Sequence, residues 1–190
     1  MAKGIPTAVV CASENETAAR NVQAMFHRPT FRVYRSGDPL GVELGGALKN
    51  IIAIAAGVGD GLGYGDNTKA ALITRALAEM RRLGVACGAQ AETFAGLSGL
   101  GDLTLTCFSQ LSRNRALGER LGRGETIEAI MASHPKLAEG YPTTRSAYRL
   151  ARKLNVSAPV TDEVYAMLYE GKNPRQAEQD LLMRDSKAED

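Results

Sequence analysis

Along most of the chain apolar residues recur every three or four positions, and the exceptions lie near its start. Residues 7–12 (TAVVCA) are a short apolar run with β-branched members, which predicts a buried strand. Ser13 with Glu16 three residues on predicts a capping box opening a helix, with Ala18, Val22, Met25 and Phe26 as its apolar stripe. Pro29 ends that helix, and residues 31–35 (FRVYR) alternate as a second strand would. Two strands with a helix between them make a βαβ unit or its antiparallel equivalent, which is a sheet edge and too little for a domain.

From Asp38 onward the period is helical. Asp38 and Pro39 supply an N-cap and a proline at the first helical position. The helix they open carries Lys49 and runs into glycines at 57, 59, 61, 63 and 65, alternating with Val58, Asp60, Leu62 and Tyr64. No ordinary helix or packed strand prefers such a run, so a flexible connection is expected there. Asp66 or Asn67 would cap the next helix, over 68–88, with Ala71, Ile73, Leu77, Met80 and Leu83 facing inward and Gly84 near its end. A short turn over 91–94 and helices over 110–121, 126–132, 143–154, 161–169 and 174–183 follow, the last capped by Asn173. Only the tail, 185–190, looks frayed. The fold class read from this pattern is mainly α: an all-helical domain over 38–190, preceded by a small α/β unit over 1–37.

Composition narrows the function classes. A chain of 190 residues with 44% hydrophobic content can bury a core, and a net charge of +2 from 23 basic and 21 acidic residues implies no large field. Arg113, Arg115, Arg120 and Arg123 invite a nucleic-acid reading, but Glu119 and Glu125 interrupt the run, and 5% aromatics with no Trp offer no stacking platform. Cys11, Cys87 and Cys107 are odd in number and lack CxxC spacing, and His27 and His134 have no second ligand nearby. Buried thiols in a reducing compartment are expected, with no metal site. Residues 44–58 are too short and too interrupted by Lys49 to span a bilayer. The expected location is cytoplasmic.

Two stretches carry candidate chemistry. From Leu44 to Val58 no residue but Lys49 is ionisable, and its neighbours at helical spacing, Gly45, Gly46, Ile52 and Ala53, leave room for a small ligand or another backbone. An ammonium kept poorly hydrated is suited to general acid/base work near neutrality, whereas the plain alternative is a lysine snorkelling out of a core helix. The small-residue face also leaves a homodimer open. The second stretch is residues 99–115, GLGDLTLTCFSQLSRNR. There Asp102 lies between glycine and an alternating LTLT run, and Ser112, Arg113 and Asn114 stand at a helix start, where free amides, dipole and guanidinium suit a phosphate monoester. A solvated helix start is the plain alternative.

The run from Gly46 to Asn67, GALKNIIAIAAGVGDGLGYGDN, resembles the signature of NAD(P)-dependent glycerol-3-phosphate dehydrogenases, and GLGDLTLTC, SRNR, EGYPTT and GKNPRQA extend the likeness over nearly the whole chain. It is similar to the C-terminal part of the bacterial enzymes. The resemblance implies that Lys49 is the catalytic acid/base and that Ser112, Arg113 and Asn114 hold the glycerol phosphate. It implies that Asp102, Thr106 and Asn50 orient the substrate, and that Arg113, Leu137 and Glu139 meet the cofactor, NADPH or NADH. It also makes residues 1–37 the last stretch of a nucleotide-binding sheet. That family's first portion, about 140 residues by typical domain size, is not in the sequence, nor is a GxGxxG between a strand and a helix. The chain is therefore expected to be inactive alone. Two other classes stay open: a non-catalytic helical module binding a phosphorylated metabolite, and a related lysine-dependent hydroxy-acid dehydrogenase.

Overall fold

The computed structural model describes residues 4–133 and 138–185. Strands β1 (Thr7–Ala12) and β2 (Phe31–Ser36) pair in parallel, Thr7 opposite Phe31 through Ala12 opposite Ser36, with α1 (Glu16–Phe26) crossing between them. The expected capping box does not form. Asn15 is the N-cap, its Oδ1 accepting from the Ala18 amide at 3.0 Å, while Glu16 reaches Arg20 and Arg35 at 2.9 and 3.0 Å. Nor is the expected stripe a core face: Val22, Met25 and Phe26 are 39, 64 and 54% exposed, and Ala19 is the buried residue of α1. Val22 and Phe26 join Val9, Phe31 and Val33 along an open apolar groove of about 500 Å³. A lone βαβ unit can cover only one of its two faces.

Asp38, joining this unit to the helices, caps α2 (Pro39–Gly61) by accepting from the Gly41 amide at 2.9 Å. Its other oxygen accepts from the Gln90 amide at 2.9 Å and the Thr93 hydroxyl at 2.6 Å, which fastens the short 3-10 turn Ala91–Ala95 to the start of α2. Helices α3 (Asp66–Ala86), α4 (Asp102–Phe108), α5 (Arg113–Gly122), α7 (Gly140–Lys153) and α8 (Pro159–Tyr169) all pack on α2. The α6 (Ile127–Ser133) and α9 (Pro174–Leu182) helices sit outside, against α5 and, for α9, also α8. By length and composition α2 could cross a membrane, but 61% of its most apolar window is buried against its neighbours.

The glycine run overturns the expectation of a flexible connection. Gly57, Gly59 and Gly61 belong to α2, and of the five only Gly63 has a left-handed backbone, with φ of 85°. Close approach is what two of them serve. A Cβ on Gly57 would lie 2.0 Å from the Arg115 carbonyl oxygen and one on Gly61 2.3 Å from that of Glu119. From the other side, Gly118 and Gly122 of α5 would meet the carbonyl oxygens of Ile54 and Val58 at 1.9 and 2.4 Å. Glycines four apart on each helix thus let the two backbones touch.

Other boundaries shift for local reasons. The α3 helix starts from Gly65 with no side-chain cap, so neither Asp66 nor Asn67 plays that part. Residues 103–106 alternate in sequence but wind into α4, because burial follows Leu103 and Cys107, both fully buried and four apart, while Leu105 is 67% exposed. The helix expected from 110 begins at Arg113, since Ser112 caps it. Helices expected from 143 and 161 begin earlier, at Gly140 and Pro159. On α3 Ala71 is exposed, whereas Ala76 and Glu79 are buried. Glu79 lies on the apolar face because α8 has no cap of its own: its carboxylate accepts from the amides of Val160 and Thr161 and from the Thr161 hydroxyl at 2.8, 2.9 and 2.6 Å. Burial pushes its carboxyl up, against the pull of those bonds.

Two predictions follow from the packing. Gly118→Ala should destabilise the fold by about 2–3 kcal/mol, the cost of overpacking a closed contact. Gly59→Ala, whose Cβ would meet only Tyr64 Cδ2 at 3.9 Å, should hold or raise the melting temperature in the same calorimetric scan. Burial pushes the Asp38 carboxyl up, but the hydrogen bonds from Thr93, Gly41 and Gln90 outweigh it and hold it below its ordinary 3.8. The folded state then binds this proton less readily than the unfolded chain. Its stabilisation is complete above that ordinary value and is lost as pH falls through the lower folded one. Urea titrations across acid pH should show Asp38→Asn flattening that loss.

Candidate active site

Three neighbouring pairs of residues meet where α2, α5 and α7 converge: Lys49 with Asn50, Arg113 with Asn114, and Glu139 with Gly140. In each pair one residue is buried and stitches helices together. Asn114 Nδ2 donates to Asn50 Oδ1 at 2.8 Å, the Gly140 amide donates to Asn114 Oδ1 at 2.8 Å, and Asn50 Nδ2 donates to the Gly46 carbonyl at 3.3 Å. Both asparagines are 7% exposed, and these bonds use both side-chain oxygens and one amide hydrogen of each, leaving the second amide hydrogen of each for the substrate contact expected of it. Gly140 is bare because a Cβ would sit 2.7 Å from both Asn114 Oδ1 and the Asn50 carbonyl oxygen.

The other member of each pair carries charge. Lys49 Nζ donates to Asp102 Oδ2, with the lysine side chain only 20% exposed, so it does not reach freely into solvent. Asp102 opens α4 after the π-helical turn Leu97–Gly101. The Thr106 hydroxyl donates to the Asp102 carbonyl oxygen at 2.6 Å and lies 3.4 Å from Oδ1, tying the carboxylate to its own helix. Arg113 and Glu139 form a 3.6 Å ion pair at the surface, 58 and 71% exposed. Such a pair contributes little to stability, so the guanidinium is free to exchange it for a better anion.

Ser112 caps α5, its Oγ accepting from the Arg115 amide at 3.2 Å, which leaves the hydroxyl proton to donate. As at any helix start, the first amides of α5 have no acceptor within the helix. Behind them Asp60 holds Arg115 and Lys69, each at 2.7 Å, and anchors the base of α5 to α2 and α3. The arginines that raised the nucleic-acid reading are spent similarly: Arg120 on Glu125 and Arg123 on Glu119.

Leu137 and His134 lie outside the described residues. The cysteines correct one expectation in part, since Cys107 is buried, its thiol pushed up to about 12 by desolvation, while Cys11 and Cys87 are half-exposed. Among the described residues no group of three His, Cys, Asp or Glu side chains gathers as metal ligands would.

The profile of "NAD-dependent glycerol-3-phosphate dehydrogenase C-terminus" matches residues 38–179, starting at the cap of α2. The chain belongs to that family. It is 57% identical over its whole length to a glycerol-3-phosphate dehydrogenase [NAD(P)+] of Trichlorobacter lovleyi, of which it covers 57%. It is likewise 57% identical to one of Citrifermentans bemidjiense, with 97% of this chain and 55% of the relative aligned. The crystal structure of glycerol-3-phosphate dehydrogenase from Coxiella burnetii superimposes with a TM-score of 0.90 at 44% identity, over 96% of this chain and 56% of that one. The chain spans about half the length of the relatives it matches. Within this family the fold of 38–179 is thus a shared helical unit, and the α/β unit ahead of it has a counterpart in the aligned structures.

Sequence reasoning missed Gly118, Gly122, Gly140 and Glu79. The signals were present as glycines four apart and as a lone carboxylate on an apolar stripe, but their meaning depends on which helix lies opposite. Replacing Asn114 with Leu should show how far the asparagine pair supports the site. It leaves Asn50 Oδ1 and the Gly140 amide unpaired and should cost about 2–4 kcal/mol, read as a lower denaturation midpoint in urea.

Proposed function

We propose that this chain supplies the substrate side of an oxidoreductase that interconverts dihydroxyacetone phosphate and sn-glycerol 3-phosphate with NAD(P)H. The observation that carries the reading is the coupling of two groups. An ammonium fixed by a carboxylate sits on α2 next to the asparagine that binds Asn114, and Asn114 follows the exposed arginine at the start of α5. A proton donor and an anion-binding helix start therefore belong to one rigid body.

In ketone reduction Lys49 Nζ gives its proton to the carbonyl oxygen; in the reverse direction the neutral amine takes the hydroxyl proton. Asp102 aims that nitrogen, and Thr106 steadies Asp102. The substrate phosphate is received by the Arg113 guanidinium, the Ser112 hydroxyl and the free amides at the start of α5. Asn50 and Asn114 act by holding α2 and α5 in register, with any contact to substrate added through their remaining hydrogens. A bound nicotinamide cofactor supplies the hydride. Arg113, Glu139 and Leu137 are assigned to meet it, and the weak Arg113–Glu139 pair, open to solvent, fits that part.

In this reading residues 1–37 belong to a nucleotide-binding sheet whose remaining strands and helices would cover the exposed face of Val22, Met25 and Phe26. The 190-residue chain alone then neither turns over nor holds NADPH tightly, which isothermal titration checks: submicromolar affinity would contradict it. Catalysis is tested in a chimera joining this chain to the preceding part of the Trichlorobacter lovleyi relative. Lys49→Ala should lower kcat by about 10²–10⁴-fold, the range of a lost general acid. Arg113→Ala should instead raise KM for dihydroxyacetone phosphate roughly ten- to hundredfold, as for one lost charge-assisted bond. Full turnover by Lys49→Ala would leave the chain a binding module.

A further inference from the structure

Gly46 stands in the middle of α2, where glycine costs about 0.5–1 kcal/mol relative to alanine. The other glycines of that helix, all but Gly59, which meets only Tyr64 Cδ2 at 3.9 Å, have reasons visible in the packing: a Cβ would strike Asp38 Oδ2 from Gly41, the Ser98 carbonyl oxygen from Gly45, and the backbone of α5 from Gly57 and Gly61. Gly46 has none. Its φ is not in the left-handed range, and a Cβ placed there meets no described residue within 4 Å. Nothing in the packing of the described residues asks for glycine at that position.

Its surroundings do. At about 100° per residue Gly46 lies between Lys49 and Asn50 in projection, about 60° from one and about 40° from the other. Helical side chains lean toward the N-terminus, so the Lys49 side chain reaches back over the turn that holds Gly46. The patch of bare backbone is thus the floor beside the ammonium. It lies toward the start of α2, which leaves the β1–α1–β2 unit at Asp38, two residues beyond the end of β2.

Resting on the oxidoreductase reading, we propose that Gly46 is the seat of the cofactor's nicotinamide ring. A helix surface without Cβ is flat enough for a planar ring and too shallow to grip a triose. The phosphate has its own receptor at the start of α5, on the far side of Lys49 from the α/β unit in chain order. A ring delivered from the α/β side would lie on Gly46 and face a substrate held between Lys49 and Arg113. Gly46 is then a cofactor-positioning residue, and its cost to the helix is offset only when the cofactor is bound.

The test is Gly46→Ala, read in two ways. In the 190-residue chain the melting temperature should stay level or rise by about 1–4 °C, because alanine favours the helix and strikes nothing. In the chimera with the Trichlorobacter lovleyi portion, NADPH affinity measured by fluorescence titration should fall at least about tenfold, while KM for dihydroxyacetone phosphate moves less than about twofold. A variant that binds NADPH within twofold of the parent overturns the proposal, and so does a melting temperature lowered by several degrees or a defect confined to KM for dihydroxyacetone phosphate. A parent chimera that neither binds NADPH nor reduces dihydroxyacetone phosphate overturns the oxidoreductase reading and this inference with it.

Discussion

The direct contact of the α2 and α5 backbones determines where the other groups of the site can be. Side chains normally hold packed helices 8–10 Å apart and leave some freedom of slide and rotation. Here Gly57 and Gly61 face Arg115 and Glu119, and Gly118 and Gly122 face Ile54 and Val58, at distances no Cβ could share. Two stiff rods touching along their peptide planes have one register. That register sets Asn50 against Asn114, and with them the residues next in sequence, Lys49 and Arg113. Close packing therefore fixes the relation between the Lys49 ammonium and the Arg113 guanidinium, which stand on different helices.

Polar groups then lock what the glycines bring together. The asparagine pair and the Gly140 amide are buried, so breaking them would leave unpaired donors and acceptors in a region of low polarity. The Asp60 carboxylate, shared by Arg115 and Lys69, does the same where α3 joins the pair of helices. At the outer edge the opposite holds. Arg113 and Glu139 are mostly hydrated and weakly paired, which contributes little to stability and leaves both charges accessible. Burial thus divides each neighbouring pair of residues: one member is buried and fixes geometry, the other is charged and more open to solvent.

How much of this could be read from the chain follows from the range of each interaction. Local signals survived: Asp38 and Pro39 did open α2, Asn173 did cap α9, Lys49 lies within α2, and residues 112–114 do stand at a helix start, with Ser112 as its cap. Signals whose meaning depends on a distant surface failed. The glycines from 57 to 61 looked like flexibility because nothing in the sequence shows that another helix lies against them. Residues 103–106 looked like alternation because Thr104 and Thr106 interrupt an apolar pair that only burial of Leu103 and Cys107 reveals. The stripe of Val22, Met25 and Phe26 is apolar yet exposed, because no described residue covers it. Glu79 was invisible because the helix it caps lies 80 residues further on, at Pro159 (159 less 79).

The same reasoning separates glycines that serve the fold from one that does not. A glycine whose missing Cβ is filled by a neighbouring carbonyl is explained by the protein alone. Gly46, with the ammonium beside it and no described residue within 4 Å of where its Cβ would stand, is explained by none of the described packing. Among the glycines of that helix, Gly46 and Gly59 alone have no atom pressed against the missing Cβ, and of these two Gly46 is the one beside the Lys49 ammonium. Glycine there costs the helix stability that alanine would keep, and no packing of the described residues returns it, which separates Gly46 from the glycines that let α2 and α5 touch.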